Sequence, residues 1–328
     1  MAITLSDIAQ RTGVSKMTVS LVLNHKRGGL RISKATRQKV LTAAQELNYI
    51  PSFSARSLVR GRTNSIGFQC GNIRNPHYTE LAEVAVRELE SRDYHLLIAV
   101  TQWVSERNDL ECLESLIGRG VDGVIFFGIA LQPETKMYDY VRGRKFPLVQ
   151  VSNLQEGFSC VTSDWRPGMA QAIEHLKAKG HHRVGNLRSR YIPPDLDPKQ
   201  QAFLWACREY GVEPVTYVCE HVQAEDGRQV ARDPNRPTAL IATSDFTAQW
   251  VLKGLRMEGL EIPRDMALVG VDGTQIAEVM HPTLTSIAQD RQTIMKETVE
   301  MLMNLIDEKE DPGRHVKIPT SLVVREST

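Results

Sequence analysis

The sequence predicts a small all-α helix-turn-helix head joined to an α/β core of two doubly wound parallel-sheet lobes. Three observations carry that expectation. First, Ser6 to Asn24 (SDIAQRTGVSKMTVSLVLN) divides into two short amphipathic helices around Gly13. Second, charge is split: residues 1–62 hold eleven Lys and Arg against two acidic residues, a net of +9, while the other 266 hold 29 against 37, a net of −8. Third, from Ser65 onward continuous apolar strands alternate with amphipathic helices. That alternation argues for parallel sheets covered on both faces.

In the head, Leu5, Ile8 and Ala9 share one helical face, with Thr4 as N-cap and Asp7 as its partner three residues on. Gly13 supplies the positive φ of a tight turn. Ser15 caps a second helix whose stripe is Val19, Val22 and Leu23, leaving Lys16, Met17, Thr18 and Ser20 outside. A helix of this kind fits the DNA major groove, and concentrated positive charge beside it is the expected footprint on a polyanion. A basic loop, HKRGGLRI, follows. Ser33 then caps a third helix running to about Asn48, with Val40, Leu41, Ala44 and Leu47 inward.

Pro51 ends that helix, and Ser52 to Leu58 is too short a segment to be helical unaided. It reads as a hinge, giving a head at 1–48, a hinge at 49–62 and a core at 63–328. Strands are expected at SIGFQC, HLLIAV, GVIFFG and PLVQV, with helices at Tyr78–Arg92, Arg107–Arg119 and Pro133–Arg142 between them. The second lobe is expected to start at the strand around Cys160–Thr162. Helix Trp165–Lys179, strand RVGNL, helix Lys199–Tyr210, strands VTYV and ALIAT, helix Phe246–Met257 and strand MALVGV follow. Helix Arg291–Ile306 and SLVVREST are expected to cross back and tie the lobes together. On this division lobe one takes about 63–160 plus 290–316, and lobe two about 161–289 plus 317–328. Ligands of such sheets bind beyond the carboxyl ends of the strands.

Hydrophobic residues make up 41% of the 328, enough for a sizeable core. The opening MAITLSDIAQ lacks the basic and apolar regions of a secretory signal, and no apolar run approaches membrane-spanning length. Five scattered cysteines without a CxxC indicate cytoplasmic usage and small buried side chains. No GxGxxG opens a helix, and no GxSxG, P-loop, HExxH or metal-spaced cluster appears, so neither an enzyme nor a cofactor is expected. His181-His182 reads as surface in a helix-to-strand turn.

The chain resembles the LacI/GalR family of bacterial transcription regulators over essentially its whole length. The stretches that carry the resemblance include TLSDIAQRTGVSKMTVSLVLN, ISKATRQKVLTAAQELNYIPSFSARSL, IGFQCGNIRNPHYTEL, GHHRVGNL, PTALIATSD, IPRDMALVGVDG, HPTLTSIAQ and LVVREST. The resemblance implies a core of the periplasmic-binding-protein type and a homodimer whose heads read pseudo-palindromic double-stranded operator DNA. It also implies a small effector, a carbohydrate or related metabolite, in the interlobe cleft. By resemblance Lys16 and Met17 read bases, while Ser15, Thr18, Ser20 and Asn24 meet phosphates. Leu21 stands where a base-reading Arg is usual, and Arg31 is the candidate to compensate. Leu58 matches a leucine that wedges into the minor groove, Ala55 the small residue between paired hinges, and Arg56 a phosphate neighbour.

For the effector, the resemblance points to Tyr78 for stacking, Asp272 for accepting hydrogen bonds, and Ser244 where Asn is usual before Asp245. Lys199 replaces a clamping Arg and loses its planar fork. Gln150 and Trp165 are weaker candidates for the same cleft, and the segment from Glu220 to Pro237 looks abridged. The expected protein is a ligand-switched repressor, cytoplasmic and nucleoid-associated when on its operator, with no membrane partner and no tail-mediated tetramer. Two alternatives stand beside it: a DNA-binding regulator without effector control, and a solute-binding protein, against which the basic head argues.

Overall fold

The computed structural model describes residues 3–23, 32–49, 61–101, 106–128, 136–151, 156–190, 192–220 and 222–328. It forms two compact units, 1–63 and 64–328. Asn24, Arg31, Ala55, Arg56 and Leu58 fall outside the described residues.

The head contains α1 (Leu5–Thr12), α2 (Lys16–Leu23) and α3 (Lys34–Glu46). Asp7 accepts from the backbone N–H and the hydroxyl of Thr4, both at 2.8 Å, which fixes the start of α1. Gly13 ends α1 at φ 69°. Ser15 and Ser33 accept from Thr18 N–H and Thr36 N–H at 3.1 and 3.0 Å, capping α2 and α3 as expected. Ile8, Val19, Val22 and Val40 are fully buried in the centre, joined by Ala43 and Ala44. Each large aliphatic side chain there contributes about 1.5–3 kcal/mol by leaving water.

The core begins with β1 (Ser65–Cys70), α4 (Pro76–Glu90), β2 (His95–Val100), α5 (Glu106–Gly118), β3 (Gly123–Phe126), α6 (Lys136–Gly143), β4 (Leu148–Val151) and β5 (Ser159–Asp164). It continues with α7 (Trp165–Ala178), β6 (Arg183–Ser189), α8 (Pro198–Tyr210), β7 (Glu213–Cys219), α9 (Ala224–Arg232), β8 (Ala239–Ile241), α10 (Asp245–Met257) and β9 (Ala267–Asp272). Last come α11 (Ile276–Val279), β10 (Thr285–Ala288), α12 (Arg291–Ile306), β11 (His315–Pro319) and β12 (Ser321–Val323). The first sheet runs β11-β5-β4-β3-β1-β2 and is parallel throughout. The second runs β12-β10-β9-β8-β6-β7, with only β12 antiparallel.

Helices cover both faces of each sheet. Phe68, Val149 and Val161 pack with α4 and α12, while Val124, Phe126 and Leu148 pack with α5 and α6. In the second sheet Val184, Val269 and Ile287 face α7 and α8, and Leu187, Leu240 and Leu268 face α9 and α10. Helices α9 and α10 approach closely enough to require glycine at their contact. A Cβ on Gly227 would collide with the Val251 carbonyl oxygen, and one on Gly254 with that of Ala224. Cys70, Cys160, Cys207 and Cys219 are buried in these cores and carry no disulfide.

The expected lobe boundaries need correction. β5 lies wholly in the first sheet, between β4 and β11, so a division at residue 160 would cut a strand. Likewise β11 runs through residue 316 to Pro319 as the edge of that sheet. An apolar run announces a strand but not its partner, and pairing with Val149–Val151 decides where β5 belongs. The chain therefore crosses between lobes at 164–165, 289–290 and 319–320. These crossovers lie together: Thr320 donates to Asp164 O from N–H at 3.1 Å and from Oγ1 at 2.8 Å. Ser163 Oγ donates to Gln289 Oε1 at 2.6 Å. The tail does cross back, placing α12 and β11 on the first lobe and β12 on the second.

Candidate functional site

On the head, the side chains of Lys16 and Met17 project from the first turn of α2, and Met17 is 65% exposed. The opposite stripe, Val19 and Val22, is fully buried, so helical periodicity alone presents Lys16, Met17 and Ser20 on the outer side. Ser15 Oγ and Thr18 Oγ1 lie 2.9 Å apart and share one hydroxyl proton, which leaves the other free to be donated to a phosphate oxygen. Leu21 is half-buried and adds no polar group to this surface.

In the core, a cavity of about 1330 Å³ opens between the lobes at the carboxyl ends of the strands. Tyr78, Trp165, Lys199, Ser244 and Asp272 line it, as expected from the sequence. Asp272 brings a carboxylate to this lining. This residue ends β9 at φ 103°, a conformation that side chains other than glycine's avoid, and its carboxylate is buried. Oδ1 accepts from Gln289 Nε2 at 2.9 Å and from Lys199 Nζ at 3.4 Å. Lys199 Nζ also donates to Thr243 O at 2.9 Å and stands 4.7 Å from the centre of the Trp165 ring. Trp165 therefore contributes by holding the lysine as well as by lining the wall.

The first lobe supplies an aromatic wall. Tyr78 packs edge-on against Phe127 and His77, with ring centres 5.5 and 5.1 Å away. Burial raises the Tyr78 phenol above its ordinary range, and the Asp272 charge adds to the effect. His77 Nδ1 is 4.0 Å from Asp272, but burial pushes its imidazole down to about 4 against the pull of that carboxylate. At neutral pH the contact is between a neutral ring and an anion.

Ser244 is committed to two tasks. It caps α10 by accepting from Thr247 N–H at 3.0 Å while its residue lines the cavity. The neighbouring Asp245 is buried away from the cavity wall, accepting from Thr274 N–H, Thr274 Oγ1 and Ser286 Oγ at 2.7, 2.9 and 2.6 Å. Burial, with help from the Asp272 charge, pushes its carboxyl up to about 7.

Gln150 is a correction. It does not line the cavity. On β4 it shares a row with Phe126 and Gln69, facing α5 and α6, whereas its neighbour Val151 faces the other side and lines the cavity. Gln150 is fully buried, and among the described residues neither amide atom has a hydrogen-bond partner. In the segment that looks abridged, the nine-residue helix α9 begins where Asp226 accepts from Gln223 N–H and Glu220 N–H, both at 2.8 Å.

Gln289, His77, Glu80 and Arg291 surround Asp272 and its turn without being candidates from the sequence. Gln289 follows β10 at a carboxyl strand end, the position from which open sheets present ligand-binding groups. No group of three metal-ligating side chains occurs among the described residues, and no helix there is long and apolar enough to cross a membrane.

Residues 4–52 match the family of bacterial regulatory proteins of the lacI type, and residues 173–328 match the periplasmic binding protein-like domain. The chain is 30% identical to a ribose operon repressor of Halalkalibacterium halodurans, covering 99% of this chain and 97% of that one. It is also 30% identical to the transcriptional regulator MalR of Streptomyces coelicolor, covering 100% and 97% respectively. Among solved structures, the Lac repressor dimer bound to operator and the anti-inducer ONPF superimposes with a TM-score of 0.87 at 23% identity, over 100% of this chain and 99% of that one. That likeness supports the fold.

Proposed function

Since the chain belongs to the LacI family and is a DNA-binding transcription regulator, we propose that it is a cytoplasmic, dimeric repressor switched by a small molecule in the interlobe cavity. The observation that carries the effector half is Asp272, a strained, buried carboxylate in a cavity open to solvent. Strain of this kind persists only where the surroundings impose it, and it concentrates at ligand sites. Lys199 and Gln289 orient the carboxylate to accept from hydroxyl groups, and Tyr78 and Trp165 supply faces for an apolar ring surface. A carbohydrate or related metabolite meets both requirements.

On the DNA side, Lys16 and Met17 would reach base edges, while Ser15, Thr18 and Ser20 would fix register on phosphates. Asn24, Arg31, Ala55, Arg56 and Leu58 complete the proposed contact set. Two heads on one dimer would read a pseudo-palindrome.

A second reading has its own support. Oδ1 of Asp272 is already occupied by Lys199 and Gln289 from within the chain, which is what a regulator without effector control would show. Titration calorimetry of the full chain against pentoses, hexoses and disaccharides separates the two. A sugar that binds, and whose affinity falls at least tenfold in Asp272→Asn, supports the switch. If no sugar binds and operator affinity ignores them all, the second reading replaces it.

A further inference from the structure

The guanidinium of Arg291 makes three contacts that join parts of the chain far apart in sequence. Nη1 donates to the carbonyl of Asp272 at 2.7 Å and Nη2 to that of Gly273 at 2.9 Å. Nε lies 3.0 Å from Oε2 of Glu80. The other oxygen of Glu80 accepts from Gln275 N–H at 2.9 Å. Glu80 is on α4, and Arg291 opens α12, both packed on the first lobe, whereas Asp272 to Gln275 form the turn after β9 of the second.

We propose that Arg291 is the positioning residue for Asp272, and that with Glu80 it forms a latch coupling the geometry of the cleft to the separation of the lobes. Only a planar fork can span two successive carbonyls and a carboxylate at once; a lysine offers one point charge. The pair is also shielded, its side chains 16% and 21% exposed, unlike a solvent-screened surface pair such as Lys145–Asp311 at 73% and 86%. The carbonyls it holds belong to the turn where Asp272 adopts φ 103°. Separation of the lobes must break the bonds of Arg291 to those carbonyls and that of Glu80 to Gln275 N–H, and the support beneath Asp272 goes with them. The consequence for effector response rests on the cleft being the effector site. The latch itself does not.

The test uses the full chain carrying Cys112→Ser and spin labels at Glu90→Cys and Glu209→Cys, exposed positions on α4 and α8 of the two lobes. Pulsed dipolar spectroscopy then reads the interlobe distance. The parent should give one narrow distribution. Glu80→Gln, which keeps shape and leaves the carbonyl bonds in place, should raise the open fraction roughly tenfold, equivalent to about 1.4 kcal/mol. Arg291→Lys should broaden the distribution further. Thermal unfolding of the same proteins separates a latch from a merely structural pair. A lowered midpoint with an unchanged distance distribution in Glu80→Gln overturns the proposal, even if Arg291→Lys fails to fold. Absence of any binding sugar overturns the effector reading of the cleft and leaves the distance result standing.

Discussion

Gln289 donates from Nε2 to Asp272 Oδ1 at 2.9 Å while accepting from Ser163 at 2.6 Å, so one side chain at a crossover joins the acid of lobe two to a strand of lobe one. These bonds between the lobes are polar and directional. Such a contact can have two arrangements, and a ligand that interacts differently with them shifts their populations.

The φ of Asp272 makes a separable prediction about strain. Ala and Gly at this position both remove the carboxylate, so both lose its bonds to Gln289 and Lys199. They differ in backbone preference at φ 103°. Asp272→Gly should therefore unfold at a higher temperature than Asp272→Ala, by the equivalent of about 1–3 kcal/mol. Equal midpoints in differential scanning calorimetry would show that the turn relaxes and stores no strain.

Gln150 should be replaceable at little or no loss. Its buried amide has no partner among the described residues, and an unsatisfied buried amide costs about 1–3 kcal/mol. Gln150→Leu, similar in volume, should leave stability unchanged or raise it by about 1 kcal/mol. Because Gln150 faces α5 and α6, sugar binding should not change. A loss above about 2 kcal/mol in urea unfolding would mean that the amide is satisfied.

Lys16 and Ser20 should separate by the kind of DNA contact they make. Lys16→Ala should relax the consensus recovered by selection from random duplexes. Ser20→Ala should weaken all sequences alike. For the parent, log affinity should fall linearly with log salt, with a slope near −0.9 for each phosphate neutralised. A flat dependence would contradict an electrostatic role for the +9 head.

How much of this is legible in the sequence follows the range of the interactions. The caps of Thr4, Ser15 and Ser33 and the turn at Gly13 are decided within four residues, and each was readable. Strand β1 appears over the residues expected, because a run such as SIGFQC buried on both faces has little else to become. What the sequence does not show is non-local. The sheet to which β5 belongs depends on β4 and β11, and the face of Gln150 depends on the register with Phe126. Glu80 and Gln275 lie 195 positions apart, so no periodicity connects them. The resemblance supplied Asp272, Lys199 and Tyr78, but not Arg291 and Glu80, which act through the backbone of Asp272.

Asp245 and His77 should give the core opposing responses to acid. Asp245 has its folded pKa raised from 3.8 to about 7, mainly by burial and then by Asp272. Between those values the folded state holds a proton that the unfolded state releases, so this group makes stability fall as pH rises from about 4 to 7. His77 has its folded pKa lowered from 6.5 to about 4, again mainly by burial, with Asp272 opposing and Lys199 and Arg291 assisting. Over that interval the unfolded state takes up the proton, so stability rises with pH. In the parent the two slopes offset each other across most of the range. Asp245→Asn should expose the histidine's rising slope, and His77→Gln the falling slope of the aspartate. Urea unfolding of the three proteins at pH 4.5, 5.5 and 6.5 measures both, with each variant referred to the parent so that the exposed carboxylates cancel. Parallel pH profiles for all three proteins would show that neither group titrates as its burial implies.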